Sequence, residues 1–522
     1  MAVRLLLKFH KNGGEIVLAD IYELLKKYYG YTSFRNGQEE IINNILSHRD
    51  ISAIMPTGAG KSICYQIPAL AFDGITLVVS PLISLMQDQV RSLISMGVRA
   101  AYINSSLTAR QMDMATENAR KGVYKIIYVA PERLTTDNFI NFACNQNISL
   151  IAVDEAHCIS QWGHDFRPSY MQISDFIEKL PYRPVIAAFT ATATERVKRD
   201  IINNLKLQNP FTLTTGFDRK NLYFGTYKPL DKNQFVLSYV ERNKDQSGII
   251  YCSTRKAVDE VSEMLIQSGY SALPYHAGMS DSDRAYNQNE FIYDRTKIVV
   301  ATNAFGMGVD KPNVRYVLHY NMPQNMEEYY QQAGRAGRDG EPSECILLYS
   351  GRDVKVNEYL IKKSADNENM SDEEKIKYIN IELEKLKTIT FYSTSKVVCL
   401  RKRMLEYFGE RFSAPCNNCS VCNDDSMESY SSHIVITGDS RKLYVDEALL
   451  ERLKKLRLSL ATRAGIPAFA VLNDATLREL ASFKPRKVTD LGKISGFGEV
   501  KTNRYGQSFI DVINQYENEA DF

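Results

Sequence analysis

Residues 51–62, ISAIMPTGAGKS, run an apolar strand into Gly58-Ala59-Gly60-Lys61-Ser62 and then into a helix-forming segment. A polyphosphate needs that order. The backbone of Thr57, Gly58 and Gly60 can wrap the anion, Lys61 can reach its terminal phosphates and Ser62 can ligate Mg²⁺. The eight-residue P-loop pattern places a glycine at position 55, where this chain has Met55. A second apolar run, residues 150–153, ends in Asp154-Glu155-Ala156-His157. Acids at the carboxyl tip of a strand sit where open α/β sheets bind ligands, so Asp154 can hold Mg²⁺ and Glu155 can orient an attacking water. Adjacent carboxylates repel each other unless a cation neutralises them. Together these motifs imply hydrolysis of a nucleoside triphosphate. Residues 331–338, QQAGRAGR, add Gln331 and two arginines, Arg335 and Arg338, expected on one helix face to stabilise charge on the γ-phosphate. They come much later in the chain than Lys61, so two lobes must close for them to act, which would couple hydrolysis to domain motion.

The elements that position these residues follow from periodicity. Val/Ile-rich runs at 51–55, 75–80, 125–129, 150–153, 185–189, 248–251, 297–300, 316–319 and 345–349 alternate with helix-period segments. That is the signature of parallel strands with crossover helices. A division near 212–227 gives two tandem α/β domains, at 1–212 (with an N-terminal extension over 1–20) and 213–350. Beyond residue 350 the pattern is helical, with Ser371 and Glu374 in capping-box spacing. The expected order is a helical zinc-binding subdomain at 351–422, a Ser/Asp-rich linker at 423–441 and a small all-α domain at 442–522.

The zinc expectation rests on Cys399, Cys416, Cys419 and Cys422, a C-x16-C-x2-C-x2-C pattern suited to a tetrahedral structural site. The other five cysteines, Cys64, Cys144, Cys158, Cys252 and Cys345, read as packing. The basic run Arg401-Lys402-Arg403 stays open between a DNA flank and a solvated face. With 522 residues, 44% hydrophobic and 24% charged, the chain has ordinary globular composition, and its net charge of +2 requires any nucleic-acid footprint to be local. Nine sparse cysteines fit a reducing compartment, and no apolar run approaches the roughly 18 residues of a membrane span, so a cytoplasmic protein is expected.

The ordered set FRNGQ (34–38), PTGAGKS (56–62), SPLISLMQDQ (80–89), APERL (130–134), DEAH (154–157), FTATAT (189–194), YCSTR (251–255), ATNAFGMGVD (301–310) and QQAGRAGRDG (331–340) resembles the motifs of superfamily 2 helicases. Within that superfamily the chain is similar to the RecQ family of DNA helicases. CISQWGHDFRPSY, residues 158–170, resembles the family's aromatic-rich loop and contains the only tryptophan, Trp162, with His164, Phe166 and Arg167. Such a loop can stack on bases without reading sequence; packing in a core is the competing reading.

The resemblance implies two tandem RecA-like domains, an ATP site in which Arg35 and Gln38 read adenine and Asp310 also takes part, and Arg338 as arginine finger beside Arg335. It implies single-strand phosphate contacts at Ser80, Thr254, Arg255 and Thr302, and coupling of His157 to residues 189–194. Residues 443–516 resemble an HRDC domain, with fourteen Lys/Arg against eight Asp/Glu over 441–516 and a phosphate clamp expected at Lys501 and Arg504; a solubility cap or protein-docking module is the alternative. RecQ proteins commonly place a winged-helix domain between these last two modules, and about 20 residues leave no room for one. The expected activity is an ATP-, Mg²⁺- and Zn²⁺-dependent 3′→5′ DNA helicase of recombination and repair. It would act on single-stranded and tailed duplex DNA as a monomer, on the nucleoid in a bacterium. An RNA-stimulated ATPase and a non-enzymatic DNA-binding protein are the competing classes.

Overall fold

The computed structural model describes residues 9–11, 14–16, 20–160, 166–305, 311–367, 371–425 and 445–520. A short hairpin, β1 (Phe9–Lys11) and β2 (Gly14–Ile16), precedes two parallel sheets. The first holds β3 (Ile51–Ile54), β4 (Ile75–Val79), β5 (Ala100–Ile103), β6 (Ile126–Val129), β7 (Ile148–Val153), β8 (Val185–Thr190) and β9 (Phe211–Thr214), in the order β5-β6-β4-β7-β8-β3-β9. The second holds β10 (Leu222–Tyr227), β11 (Gly248–Tyr251), β12 (Ala272–Tyr275), β13 (Ile298–Ala301), β14 (Tyr316–His319) and β15 (Ser343–Leu348), in the order β10-β15-β14-β11-β13-β12. Residues of β3, β4, β6, β8, β11, β13 and β14 are buried throughout, as helices on both faces of a parallel sheet require.

In the two parallel sheets the apolar runs do not include β5, β9, β10 and β12, and all four are sheet edges. An edge strand is covered on fewer sides, so β9 alternates half-buried with exposed residues and offers no continuous apolar run. The segment taken as a boundary, 212–227, in fact contains most of the last strand of one sheet and all of the first strand of the next.

Beyond the second sheet, helix Asp372–Ser393 starts with the expected capping box, in which the Ser371 hydroxyl accepts from the Glu374 N–H and the Glu374 carboxylate accepts from the Ser371 N–H. Helix Leu400–Tyr407 then begins at Cys399, which is its N-cap rather than an interior residue. The following loop lies along β10, where Ser420 N–H donates to Phe224 O at 2.9 Å. The last helices, Glu447–Ala464, Asp474–Phe483 and Glu499–Ala520, pack on Leu453, Leu477, Leu480, Phe509 and Ile513.

This C-terminal unit touches both sheet domains. Gly496 N–H donates to Gly30 O at 3.2 Å, and a Cβ on Gly498 would lie 2.9 Å from Lys27 O. On its other side Arg478 pairs with Glu341 at 3.3 Å and the Tyr293 hydroxyl donates to Gly465 O at 3.2 Å. The Gly30–Gly498 approach has no space for a side chain. Gly498→Val is therefore expected to release the C-terminal unit, read as a larger radius of gyration in small-angle scattering with helical content unchanged.

Candidate active site

Strand β3 delivers the phosphate loop, in which Gly58 and Gly60 both adopt φ of +82°, a conformation that favours glycine. Met55, the departure from the P-loop pattern, needs no such freedom. Its N–H extends the ladder to Thr190 O at 2.9 Å, its side chain is fully buried, and its carbonyl accepts from Lys61 Nζ at 3.3 Å. Gln38 Nε2 donates to Ala59 O and Gly60 O, both at 3.1 Å, its Oε1 accepts from Arg35 N–H at 2.8 Å, and Arg35 Nη1 reaches Gly58 O at 2.5 Å. The pair expected to read adenine thus braces the loop.

Strand β7 delivers Asp154 and Glu155. Burial, then the neighbouring Glu155, push the Asp154 carboxyl up to about 7 against the pull of Lys61. Glu155 holds a left-handed backbone, φ +48° and ψ +45°, costly for a non-glycine residue and common where a site is held ready. Its Oε2 lies 3.3 Å from His157 Nδ1, and that nitrogen lies 2.8 Å from Thr190 Oγ1 at the end of β8. Through these contacts His157 joins the acidic pair to the FTATAT segment.

Helix Met326–Ala333 stops at Gly334, so Arg335 and Arg338 lie in the turns beyond it and not on a helix face. Gly337, with φ of +54°, turns the chain between the two arginines. Arg335 is 4% exposed; burial lowers its pKa, opposed by Tyr251 and Glu155. A cleft of about 310 Å³, of the size small-molecule sites have, is lined by Arg35, Gln38, Thr57, Gly58, Gly60, Lys61, Ser62, Asp154, Glu155, Gln331, Arg335 and Arg338. Residues from both sheet domains therefore meet in one place. Asp310, Trp162 and His164 lie outside the described residues.

The cleft suits a magnesium triphosphate. Thr57 Oγ1 and Arg335 Nε are buried without a hydrogen-bond partner among the described residues, and the reluctant Asp154 carboxyl would be relieved by a divalent cation. Ser62 and Asp154 would hold Mg²⁺, which when bound supplies charge neutralisation at the phosphates.

Of the expected DNA residues, Ser80, Thr254, Arg255 and Thr302 lie just past the carboxyl ends of strands. Ser80 follows β4 and is buried, with its hydroxyl unpartnered among the described residues. The adjacent Pro81 O accepts from Arg167 Nη1 at 3.0 Å, which brings the aromatic loop's arginine to the SPLISLMQDQ segment, while Phe166 is half-buried. Thr254 caps helix Arg255–Gln267 through a bond from Ala257 N–H, Arg255 is exposed, and Thr302 follows β13 with its hydroxyl accepting from Ala304 N–H. Arg504 is exposed, stacked on Tyr505. Lys501 is less accessible. Its helix start faces Gly30, and burial without a counter-charge lowers its pKa to about 8.

The four zinc-pattern sulfurs lie within 4.8 Å of one another, and Cys416 Sγ and Cys422 Sγ are 3.9 Å apart. A Zn–S bond of about 2.3 Å puts tetrahedral sulfurs about 3.8 Å apart, so the donor set fits Zn²⁺. Backbone N–H groups of Lys402, Asn418 and Cys422 point at three of the sulfurs, as thiolate ligands need. Arg401 is neither a DNA flank nor solvated; it is 3% exposed and paired with Asp218 at 2.5 Å.

The DEAD/DEAH box helicase family model matches residues 35–200, the helicase conserved C-terminal domain 231–340, RecQ zinc-binding 351–423 and HRDC 446–513. The ATP-dependent DNA helicase RecQ of Bacillus subtilis is 37% identical across 95% of this chain and 99% of that protein. This chain belongs to the RecQ family of ATP-dependent DNA helicases. The corresponding Haemophilus influenzae protein is 35% identical over 95% and 96%, and the probable ATP-dependent DNA helicase RecS of B. subtilis 41% over 68% and 72%. The alignment with B. subtilis RecQ runs over 594 residues, longer than this chain's 522, so that RecQ contains residues this member lacks. Among solved structures, Mycobacterium smegmatis helicase Lhr bound to ssDNA and AMP-PNP superposes with a TM-score of 0.51 at 17% identity over 70% of this chain and 57% of that one. Mss116p bound to ssRNA and AMP-PNP gives 0.54 at 19% identity over 74% and 87%. The likenesses are of fold.

As a RecQ-family DNA helicase the protein uses ATP and Mg²⁺ and has a structural Zn²⁺ site. One residue behind the cleft belongs to none of the motifs. Arg219, in the connector between the sheets, bonds Thr57 O at 2.8 Å; a charged residue inside a domain connector was the available signal. Because Cys419 is the fully buried ligand, Cys419→Ser is expected to lower bound zinc from one per chain to near zero by elemental analysis. The same change should lower the thermal midpoint by about 5 °C or more.

Proposed function

We propose that this chain is a 3′→5′ translocase on single-stranded DNA that opens tailed duplexes as a monomer, in recombination and repair, and on the nucleoid if the cell is bacterial. The observation that supports it best is the shared cleft. Lys61, Asp154 and Glu155 come from one lobe, and Gln331, Arg335 and Arg338 from the other, so a triphosphate bound there is gripped by both. Glu155 orients the attacking water and takes up its proton. Lys61 and the finger Arg338 hold the charge that develops on the transferring phosphoryl group, with Arg335 beside Glu155.

Hydrolysis breaks the bond to the γ-phosphoryl group, and departure of the freed phosphate removes the anion that bridges the lobes' cations, so the lobes shift relative to each other. The strand ends bearing Ser80 and Arg167 on one lobe, and Thr254, Arg255 and Thr302 on the other, grip phosphates without reading sequence, which makes a lobe shift a step along the strand. Between Asp425 and Val445 there is no room for a strand-separating domain, so unwinding of long duplexes is weaker than translocation.

Lys61→Ala is expected to reduce ATP turnover by about 10²-fold or more while single-stranded DNA binding stays within twofold. Comparing DNA with RNA as the stimulating strand tests substrate class, and RNA-selective stimulation would refute the DNA assignment. For the wild type, strand displacement should occur with a 3′-tailed duplex and not with a 5′-tailed one.

A further inference from the structure

Arg219 occupies a position that the reaction described so far does not use. It belongs to the connector FDRKNL, residues 217–222, which leads from the first sheet into β10. All five of its N–H donors are engaged. Nη1 reaches Thr57 O at 2.8 Å and Gly334 O at 3.4 Å, Nη2 reaches Ala336 O at 3.0 Å and Gly337 O at 2.7 Å, and Nε reaches Asn221 Oδ1 at 3.4 Å.

No carboxylate is among these partners. Burial first, and then the neighbouring Arg338 and Arg35, disfavour the guanidinium charge, and carbonyls just past the C-terminal end of helix Met326–Ala333 offset part of that cost. A cation is rarely kept in such a place for stability. The carbonyls it gathers are those of the turns that hold Arg335 and Arg338, and the remaining one belongs to the phosphate loop. A Cβ on Gly58 would meet Arg219 Nη1 at 3.3 Å and Arg338 Cγ at 3.5 Å, so the clamp lies directly behind the phosphate-facing glycine. The connector is itself pinned, because Arg401 Nη1 donates to Arg219 O at 2.8 Å and Tyr330 hydroxyl to Phe217 O at 2.8 Å.

We infer that Arg219 is a positioning residue of the ATPase, a five-donor clamp that ties the phosphate loop to the arginine turns and sets the reach of Arg338 to the triphosphate. The inference rests on the assignment of Arg338 as finger. With every donor occupied, Arg219 has none left for a phosphate, so it acts through the backbone it holds and not on the substrate. Lysine keeps the charge but has three donors and no planar fork, and so does not replace it.

The test uses the full-length protein with R219K, R219Q, R338A and the R219Q/R338A double variant. It measures ATP turnover with and without oligothymidylate, affinity for a fluorescent ADP, and thermal midpoint. R219K and R219Q are expected to keep ADP affinity within about threefold and the thermal midpoint within a few degrees, while DNA-stimulated kcat falls tenfold or more at little changed KM. The double variant should lose no more than R338A alone, since residues acting as a unit are not additive. Turnover within twofold of wild type in R219Q overturns the inference. So does a double-variant loss equal to the product of the single losses, or an R219K defect confined to a collapsed thermal midpoint. If R338A itself turns over ATP as wild type does, the finger assignment has failed instead, and the R219Q result then shows separately whether Arg219 matters.

Discussion

The two lobes meet where Gly334 passes Thr57, and the missing side chain of that glycine is the constraint on which the site depends. A Cβ there would lie 2.9 Å from Thr57 Oγ1 and 3.0 Å from Tyr330 O. Its backbone is ordinary right-handed helix, φ −63°, so glycine is needed for proximity and not for conformation. Three residues on, Gly337 is needed twice over. Its φ is positive, and a Cβ would stand 2.4 Å from Asn221 Nδ2. The alternation Gly-Arg-Ala-Gly-Arg is therefore two close approaches with an arginine released after each. Where the backbone comes this near, guanidinium groups from one lobe line the same cleft as the phosphate loop of the other.

Charge explains why such a cleft is stable only as a partner to something. Arg35, Lys61, Arg335 and Arg338 line the same small space as Asp154 and Glu155, and burial with the adjacent Glu155 opposes ionisation of Asp154 more than Lys61 favours it. A triphosphate with its magnesium ion satisfies both signs at once. The strained Glu155 backbone and the Glu155–His157–Thr190 chain keep the acidic pair oriented before any ligand arrives. Thr190 closes β8 against β3, so the chain that orients the acids also sits on the strand next to the phosphate loop.

Much of this was legible beforehand because the chemistry resides in short motifs whose spacing is local. Lys61, Ser62 and Asp154 follow strands buried on both faces, which announce themselves as apolar runs. The four cysteines declare a metal by number and gap. What stayed hidden depended on tertiary neighbours. β9 and β12 are half-covered edges, and β10 is masked by Tyr, Gly and Thr in LYFGTY. Arg401 looked like part of a basic surface until Asp218, far away in sequence, was brought against it. Arg335 and Arg338 had the right spacing for a helix face, yet the close contact at Gly334 ends the helix first. Lys501 looked like an open phosphate ligand because nothing local reveals that Gly30 docks beside it.

The loop around Cys419 does more than hold a metal. It lies against the outer edge of β10, where Phe224 exchanges backbone hydrogen bonds with Asn418 and Ser420, and Thr226 N–H donates to the Ser420 hydroxyl. A strand left bare along that side offers its peptide groups to any other strand that drifts past, including one from a second molecule. Stripping the ion would thus uncover a sticky seam, and the first sign of damage would be clumping of copies rather than a quiet fall in turnover.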